Sequence, residues 1–466
     1  MISLLMPYKK ILFPATPLII SLLLAVSLFL FFIHPSRQSV HIQDPGEVCS
    51  KCNIVLISVD TLRYDRLGIN GYKKPTSPNI DRFFGKSFIF KNAYAEAPWT
   101  LPSHAAMLTG VYPKKLNVEL TTDLLAPEGI SLARILKNSG YNTAAFSTGP
   151  FVTADQGFGQ GFEFFKHYQD WQDAKTITKD SIDWLKENKK SKFFLFIHAF
   201  QVHDPYAPEK KFAKQVDPNY KGNLNSVDIS KIAAINAGRE KLSPADLERI
   251  SLLYDGEIAQ LDYYLSKVFE KINSLGLQKN TIVILTSDHG EEFGERGLWG
   301  AHGYSVYDEL LHIPLLIKIP NATAQAAQVD SLTGLIDIPP TILGLLGIEP
   351  QTNFDGINLA RLFVNKEANS ERVINAETAI DKKIMVENVV AAYQNILTGN
   401  YIPVTRQPQV SIPKAKMARY KNYKLIQNFD GSLEFYDITN DPQEKQNLSQ
   451  TNIEIKEKLE KLLNNY

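Results

Sequence analysis

The sequence predicts an α/β protein with a mainly parallel sheet flanked by helices. A small C-terminal antiparallel sheet plus helix is expected to follow, and an N-terminal transmembrane helix to precede it. Three observations carry this expectation. Short, mostly apolar runs recur, such as N-I-V-L-I-S-V at Asn53–Val59, F-F-L-F-I-H-A at Phe193–Ala199 and T-I-V-I-L-T-S at Thr281–Ser287. Runs of this kind suit strands buried on both faces of a parallel sheet. Amphipathic stretches lie between them, at residues 131–138, 177–188 and 243–275, and alternation of strands with helices argues for a parallel α/β layer. Beyond residue 380 the texture shifts to short alternating strands and a charged terminal helix.

In chain order, residues 1–10 read as a cytoplasmic N-terminus and 11–33 as a transmembrane anchor. No charged residue interrupts 11–33, and roughly 20 apolar residues span a bilayer as a helix. Lys9 and Lys10 precede the run, which favours a cytoplasmic start; Pro14 and Pro17 move the expected helix start toward Leu18. A cleaved signal peptide is the competing reading. No small-x-small cleavage pattern follows the run, so an uncleaved single-pass anchor is favoured. Either way the rest of the chain lies outside the cytoplasm, in the periplasm if the source is bacterial. Residues 34–52 form a polar linker with Pro35 and Pro45. It holds the two cysteines, Cys49 and Cys52. They are too few for a structural zinc site and precede a strand rather than open a helix, which leaves a local disulfide or two free thiols.

Residues 53–380 are expected to form the catalytic domain, with further strands at 143–147 and 315–319 and a polar insertion at 205–245 over the active-site face. Residues 381–466 form the α+β subdomain, with strands at 421–427 and Leu433–Asp437 and a helix over about 451–463. Hydrophobic residues make up 44% of the chain and charged residues 21%, as in a globular protein with a full core. Lys plus Arg and Asp plus Glu balance at 50 each. That balance gives no reason to propose nucleic acid, whose binding needs a basic face.

Ligands of open α/β sheets bind outside the carboxyl ends of the strands. Asp60 follows the first strand, Asp288 and His289 follow T-I-V-I-L-T-S, and His198 stands at the end of F-F-L-F-I-H-A with His203 five residues on. A single carboxylate there would be an ordinary helix cap. Three strand ends carrying metal-ligand residue types point to a metal site. In A-P-W-T-L-P-S-H-A-A-M-L-T-G, Pro102 suits the first turn of a helix. Thr100 then stands at a helix N-terminus, where free N–H groups favour a phosphate or sulfate. It is either a nucleophile or simply the helix cap.

The order N-I-V-L-I-S-V-D-T-L-R, P-T-S-P-N-I-D-R-F, P-W-T-L-P-S-H-A-A-M-L-T-G-V-Y-P, F-L-F-I-H-A-F-Q-V-H-D-P-Y-A-P, T-S-D-H-G-E-E-F-G-E-R-G and A-H-G-Y-S-V-Y-D-E-L-L-H-I-P-L-L-I resembles the sulfatase family of the alkaline phosphatase superfamily. The resemblance runs from about residue 53 to 449 and implies an alkaline-phosphatase-like fold acting on phosphate or sulfate esters. It also locates departures. The family's C/S-x-P-S-R motif reads Thr100-Leu101-Pro102-Ser103-His104, and its paired carboxylates read Asp60-Thr61. Oxidation of Thr would give a ketone, not the formylglycine aldehyde. A Thr nucleophile resembles phosphoethanolamine transferases and lipoteichoic acid synthases. That resemblance implies one divalent metal on Asp60, Thr100, Asp288 and His289. This donor set favours zinc or manganese, with calcium or magnesium as alternatives. His203 and His302 are implied to stabilise the equatorial oxygens or protonate the leaving group, and His104 to lie in the substrate site. His198 and His312 read as structural.

The expected activity is therefore hydrolysis or transfer of a phosphate or sulfate ester, on a lipid or glycan, through a covalent Thr100 adduct. The alternative is a catalytically silent surface domain that keeps the fold for binding. It is motivated by the lost Arg and carboxylate, and opposed by the joint presence of Asp60, Thr100, Asp288, His289, His203 and His302.

Overall fold

The computed structural model describes residues 49–466 apart from 121–122, 127–129, 171–172, 321, 323–326, 351, 366–370, 381, 383–413 and 452–453. The expected anchor at 11–33 and most of the linker lie outside the described residues. Among the described residues no helix is long and apolar enough to cross a membrane.

The central sheet has eight strands: β1 (Asn53–Val59), β2 (Phe88–Tyr94), β3 (Asn142–Ser147), β4 (Phe164–His167), β5 (Phe193–Ala199), β6 (Thr281–Ser287), β9 (His312–Lys318) and β10 (Ala327–Gly334). The short β7 (Glu292–Phe293) and β8 (Trp299–Ala301) pair separately. The spatial order is β10-β2-β9-β6-β1-β5-β3-β4. Strands β1, β5 and β6 are buried at every position. The period of two explains why: Ile54 and Leu56 enter one core, while Val55, Ile57 and Val59 enter the other. A sheet covered on both faces needs apolar residues at consecutive positions, hence the unbroken runs.

The run read near 315–319 is a strand, but it is antiparallel to both neighbours, β2 and β6. An apolar run encodes burial, not direction. Strands β2, β4 and β10 were not legible; β4 is partly exposed and β10 is polar at its start.

Helix Pro244–Ser274 begins where the sequence indicated: Ser243 accepts a hydrogen bond from the Asp246 N–H at 3.2 Å, and Pro244 occupies the first turn. The polar stretch 205–245 contains helices Lys210–Val216 and Ile229–Asn236. It is tied by a backbone pair between Tyr206 and Val227. The C-terminal sheet runs β11 (Val373–Thr378), β12 (Ala415–Tyr420), β13 (Tyr423–Gln427), β14 (Leu433–Asp437), all antiparallel. It thus starts ahead of the texture change at 380. Helix Glu454–Asn465 covers it, with Leu459 and Leu463 packed among Ala418, Tyr420, Leu425 and Phe435. Cys49 and Cys52 are joined in a disulfide.

The register sets up the site. Val59 is paired with Ala199 of β5 on one side and Ser287 of β6 on the other. The residues that follow these three parallel strands therefore emerge at one edge of the sheet.

Candidate active site and metal centre

Asp60 leaves β1 with its N–H on the Ala199 carbonyl at 3.0 Å. Thr61 then takes a left-handed conformation, φ 54°, rare for a β-branched residue. That turn aims its N–H at Asp288 Oδ1, 3.2 Å away. The same oxygen accepts the His289 N–H at 2.9 Å. The Thr61 backbone thus helps to hold Asp288. Gly290 comes next because a Cβ there would stand 2.1 Å from the Glu309 carbonyl oxygen. His289 Nδ1 donates to the Gly290 carbonyl at 2.8 Å, so its Nε2 presents a lone pair inward.

Thr100 is the first residue of helix Thr100–Thr109, which is buried along its whole length. Trp99 holds the cap position and no side chain caps this helix, so Thr100 is not a cap. Its Oγ1 lies 3.4 Å from Asp60 Oδ2 and 3.4 Å from His289 Nε2. His289 Nε2 is 3.4 Å from Asp288 Oδ2 and 3.7 Å from Asp60 Oδ1. The four residues expected to share one ion thus converge. Asp60, Asp288 and His289 each offer a ligand atom within 4.8 Å of the others.

The other histidines surround this centre. His104 is fully buried behind it, with Nδ1 2.9 Å from the Thr100 carbonyl and 3.5 Å from Asp288 Oδ2. Of the two carboxylates it touches Asp288. His203 stacks on Phe200 at 4.2 Å and places Nδ1 2.6 Å from Asp204 Oδ1. His302 puts Nδ1 3.0 Å from Glu291 Oε1, and its ring lies 4.6 Å from His289 and 4.9 Å from His203. His312 stands apart, stacked on Tyr64 and bonded to the Lys91 carbonyl. His198, read as structural, hydrogen-bonds Asp60 Oδ2 at 3.1 Å. Glu291 was also missed as a site residue. It is fully buried and receives the Tyr206 hydroxyl at 2.9 Å as well as His302. Adjacent glutamates in T-S-D-H-G-E-E give no sign of which one faces the site.

The electrostatics are unbalanced in one direction. Burial would raise the Asp60 carboxyl, but the hydrogen bond from His198 and the charge of His203 outweigh it and hold it well below the usual range. Burial first, then the nearby Asp60 charge, pushes Asp288 well above its ordinary value. Burial and His302 hold His289 neutral, and burial with His198 lowers His104 to about 3. Burial opposes charge on His203 too, but Asp204, Asp60 and Glu291 overcome it and lift the ring to about 10. Asp60 Oδ1 and Asp288 Oδ2 are buried with no hydrogen-bond partner. Two carboxylates this close resist ionising together unless a cation lies between them. The bare oxygens, the inward lone pair of His289 and the Thr100 hydroxyl fit a divalent ion.

The mainly parallel sheet flanked by helices, with a small antiparallel C-terminal sheet, is an alkaline-phosphatase-like α/β fold. The chain belongs to the sulfatase family: the family model "Sulfatase" matches residues 52–348. Members of this family are metal-dependent ester hydrolases. The chain is 25% identical over 459 residues to the ulvan-active sulfatase of Formosa agariphila, covering 91% of this chain and 82% of that one. Among solved structures, the phosphonate monoester hydrolase of Agrobacterium radiobacter superposes with a TM-score of 0.68 at 20% identity, covering 89% of this chain and 95% of that one. A protein solved with its substrate D-glucosamine-2-N,6-O-disulfate superposes with a TM-score of 0.67 at 18% identity, covering 89% and 97%. These structures share the fold.

Proposed function

We propose that this protein hydrolyses a sulfate or phosphate monoester carried on a glycan, with unmodified Thr100 as nucleophile. The observation that carries the reading is the Thr100 hydroxyl, 3.4 Å from both Asp60 Oδ2 and His289 Nε2 at the start of a helix. Asp60, Asp288, His289 and Thr100 would hold a divalent ion, zinc or manganese by its donors, which would supply a lowered pKa for the hydroxyl and polarisation of a non-bridging ester oxygen. Thr100 loses its hydroxyl proton to solvent and attacks phosphorus, or sulfur, as the alkoxide while the bond to the sugar oxygen breaks; it is released as the alkoxide in the second step. His203, protonated near neutral pH because its pKa is lifted to about 10, gives the leaving oxygen its proton. His302, held by Glu291, faces the same space and stabilises the equatorial oxygens. Water then attacks the adduct, returns a proton to His203 and releases Thr100; an acceptor alcohol in place of water would make the same step a transfer.

The relatives' names support a glycan substrate: one sulfatase is active on ulvan and one structure holds a disulfated glucosamine. The apolar run at 11–33 after Lys9 and Lys10 supports a membrane-anchored site outside the cytoplasm. The test is a screen of phosphate monoesters, phosphate diesters and sulfate esters with added zinc, manganese or calcium, using enzyme made in a host without formylglycine-generating activity. Turnover is expected there, with a phosphoryl or sulfuryl group trapped on Thr100 by mass spectrometry. Full turnover by Thr100→Ala would overturn the reading and leave a metal-activated water as nucleophile.

A further inference from the structure

Behind the two carboxylates, the rings of His104 and His198 lie 4.4 Å apart at 68° to each other. With Asp288 they offer ligand atoms within 4.8 Å of one another, which on distance alone would hold a second cation. Hydrogen bonding decides against it. His104 Nδ1 faces the Thr100 carbonyl at 2.9 Å; a carbonyl only accepts, so this nitrogen carries a proton and has no lone pair for a metal. His104 Nε2 is met by the Ser58 hydroxyl at 3.0 Å. His198 Nε2 faces Asp60 Oδ2 at 3.1 Å. An ionised carboxylate also only accepts, so the proton sits there as well. His198 Nδ1 meets Ser147 Oγ at 3.1 Å, and Ser147 is itself bonded to the Val152 carbonyl at 2.7 Å. Both rings are thus tied at both nitrogens.

The consequence falls on Asp60. Its Oδ2 is held by His198, while its Oδ1 is buried with no partner. We infer that His198 is a positioning residue for the metal centre. Braced by Ser147, it fixes the rotation of the Asp60 carboxylate so that Oδ1 is turned to the ion, and the His104–His198 pair holds no second cation. This inference rests on the metal reading of Asp60, Asp288 and His289. Partners that orient a ligating carboxylate or imidazole change metal affinity by about 10–100-fold when removed.

The experiment is zinc and manganese titration of chelator-stripped full-length protein, with bound metal counted by elemental analysis. The inference expects one ion in the wild type. His198→Phe keeps the ring volume and removes the N–H, and should still bind one ion at saturation, with affinity weaker by about 10–100-fold. His198→Gln can keep an N–H on Asp60 and should recover most of that loss, a pattern a packing role would not give. Thermal melting of the stripped variants checks their folding; if the Phe variant does not fold, Ser147→Ala, which removes only the brace, should show the same direction with a smaller loss. Equal affinity in wild type and variants overturns the inference while leaving the metal reading intact. Two ions in the wild type falling to one in His198→Phe also overturns it, in favour of a second cation site. No ion in the wild type overturns both.

Discussion

Two clusters of buried carboxylates sit in this molecule, and the protein treats them in opposite ways. Between the catalytic domain and the C-terminal sheet, Asp308 and Glu444 are closed by protein. The Lys424 Nζ, fully buried, lies 2.7 Å from Asp308 Oδ1 and 2.7 Å from Glu444 Oε1. Arg419 Nη1 is 3.3 Å from Asp308 Oδ2, and the Asp308 N–H donates to Glu444 Oε2 at 2.7 Å. Each carboxylate oxygen has a cation or an N–H beside it, Glu444 Oε1 through its ion pair with Lys424 alone and without a hydrogen bond. At the sheet edge, Asp60 and Asp288 are just as buried, yet each keeps one oxygen without a donor. Among the described residues no Lys or Arg closes that cluster; its neighbours are the imidazoles of His289, His198, His104 and His203 and the Thr100 hydroxyl. A buried charge must be paired or bound to metal. The first cluster is therefore an internal clasp, and the second, on the function proposed above, takes a cation that the chain does not itself provide.

The largest expected effect tests the open cluster's purpose. Thr100→Ala should lower kcat by on the order of 10⁴–10⁶-fold, as nucleophile removal does elsewhere. It should leave the melting temperature nearly unchanged, because Thr100 caps nothing. Thr100→Ser should keep partial activity with a less restricted rotamer. Steady-state kinetics beside calorimetry checks both.

The closed cluster should respond in the reverse sense. Lys424→Met leaves Asp308 and Glu444 buried without their shared cation, and breaking such a pair costs about 3–5 kcal/mol. Urea unfolding should show that loss, while kcat of the folded fraction stays close to wild type. A large kcat change at full folding would break the distinction between clasp and catalytic centre.

The two clusters also differed in how far the sequence disclosed them. The convergence of Asp60, Asp288 and His289 was legible because Asp60 and the Asp288-His289 pair each follow an apolar run, and strand ends of a parallel sheet share an edge. The strands themselves, Asn53–Val59, Phe193–Ala199 and Thr281–Ser287, were legible to the residue for the same reason of two-sided burial. His198 is the sixth residue of one such run, and a lone histidine among Phe and Ile gives no sign that Asp60 is its partner. The role of Glu291 was hidden because E-E does not reveal which side chain turns inward. The clasp was not legible at all. Asp308, Lys424 and Glu444 are far apart in the chain, and Lys424 in Y-K-L-I looks like any solvent-facing strand residue. Direction was lost as well: nothing in H-I-P-L-L-I marks β9 as antiparallel. Side-chain pairing across long separations and strand direction are tertiary properties, and one-dimensional patterns carry neither.

Metal should stabilise only the open cluster. Zinc or manganese at about 100 times its dissociation constant should raise unfolding free energy by about 2.7 kcal/mol over stripped protein. Asp288→Asn should abolish that rise. In stripped protein the same substitution should be neutral or stabilising, because it removes one of two carboxylates pressed together without a cation. Thermal shift with and without chelator reads all of these. A metal response that survives Asp288→Asn would place the ion elsewhere.

The smallest effect is the most diagnostic, because the two clusters should carry opposite signs with pH. Burial opposes the charge on Asp308, but Lys424 and Arg419 outweigh it and hold the carboxyl well below its ordinary value. A group depressed on folding contributes stability above its unfolded pKa of about 3.9, and that contribution is lost as pH falls toward the folded value. In stripped protein Asp288 is the reverse: burial and Asp60 raise it. Its contribution is present below about pH 3.9 and is lost as pH rises through the raised value. Two variants separate the terms. Asp308→Asn should flatten the stability loss below about pH 4, whether or not metal is present. Asp288→Asn should remove a stability decline on the way up from acid, and only in stripped protein. Bound metal favours ionised Asp288, so wild-type holoprotein should instead gain stability over that rise. Urea midpoints from pH 3 to 8, in chelator and in zinc, make the comparison. If Asp288→Asn gives parallel curves with and without metal, the bare oxygens of Asp60 and Asp288 are not where the ion binds, and the contrast between an open and a closed cluster fails.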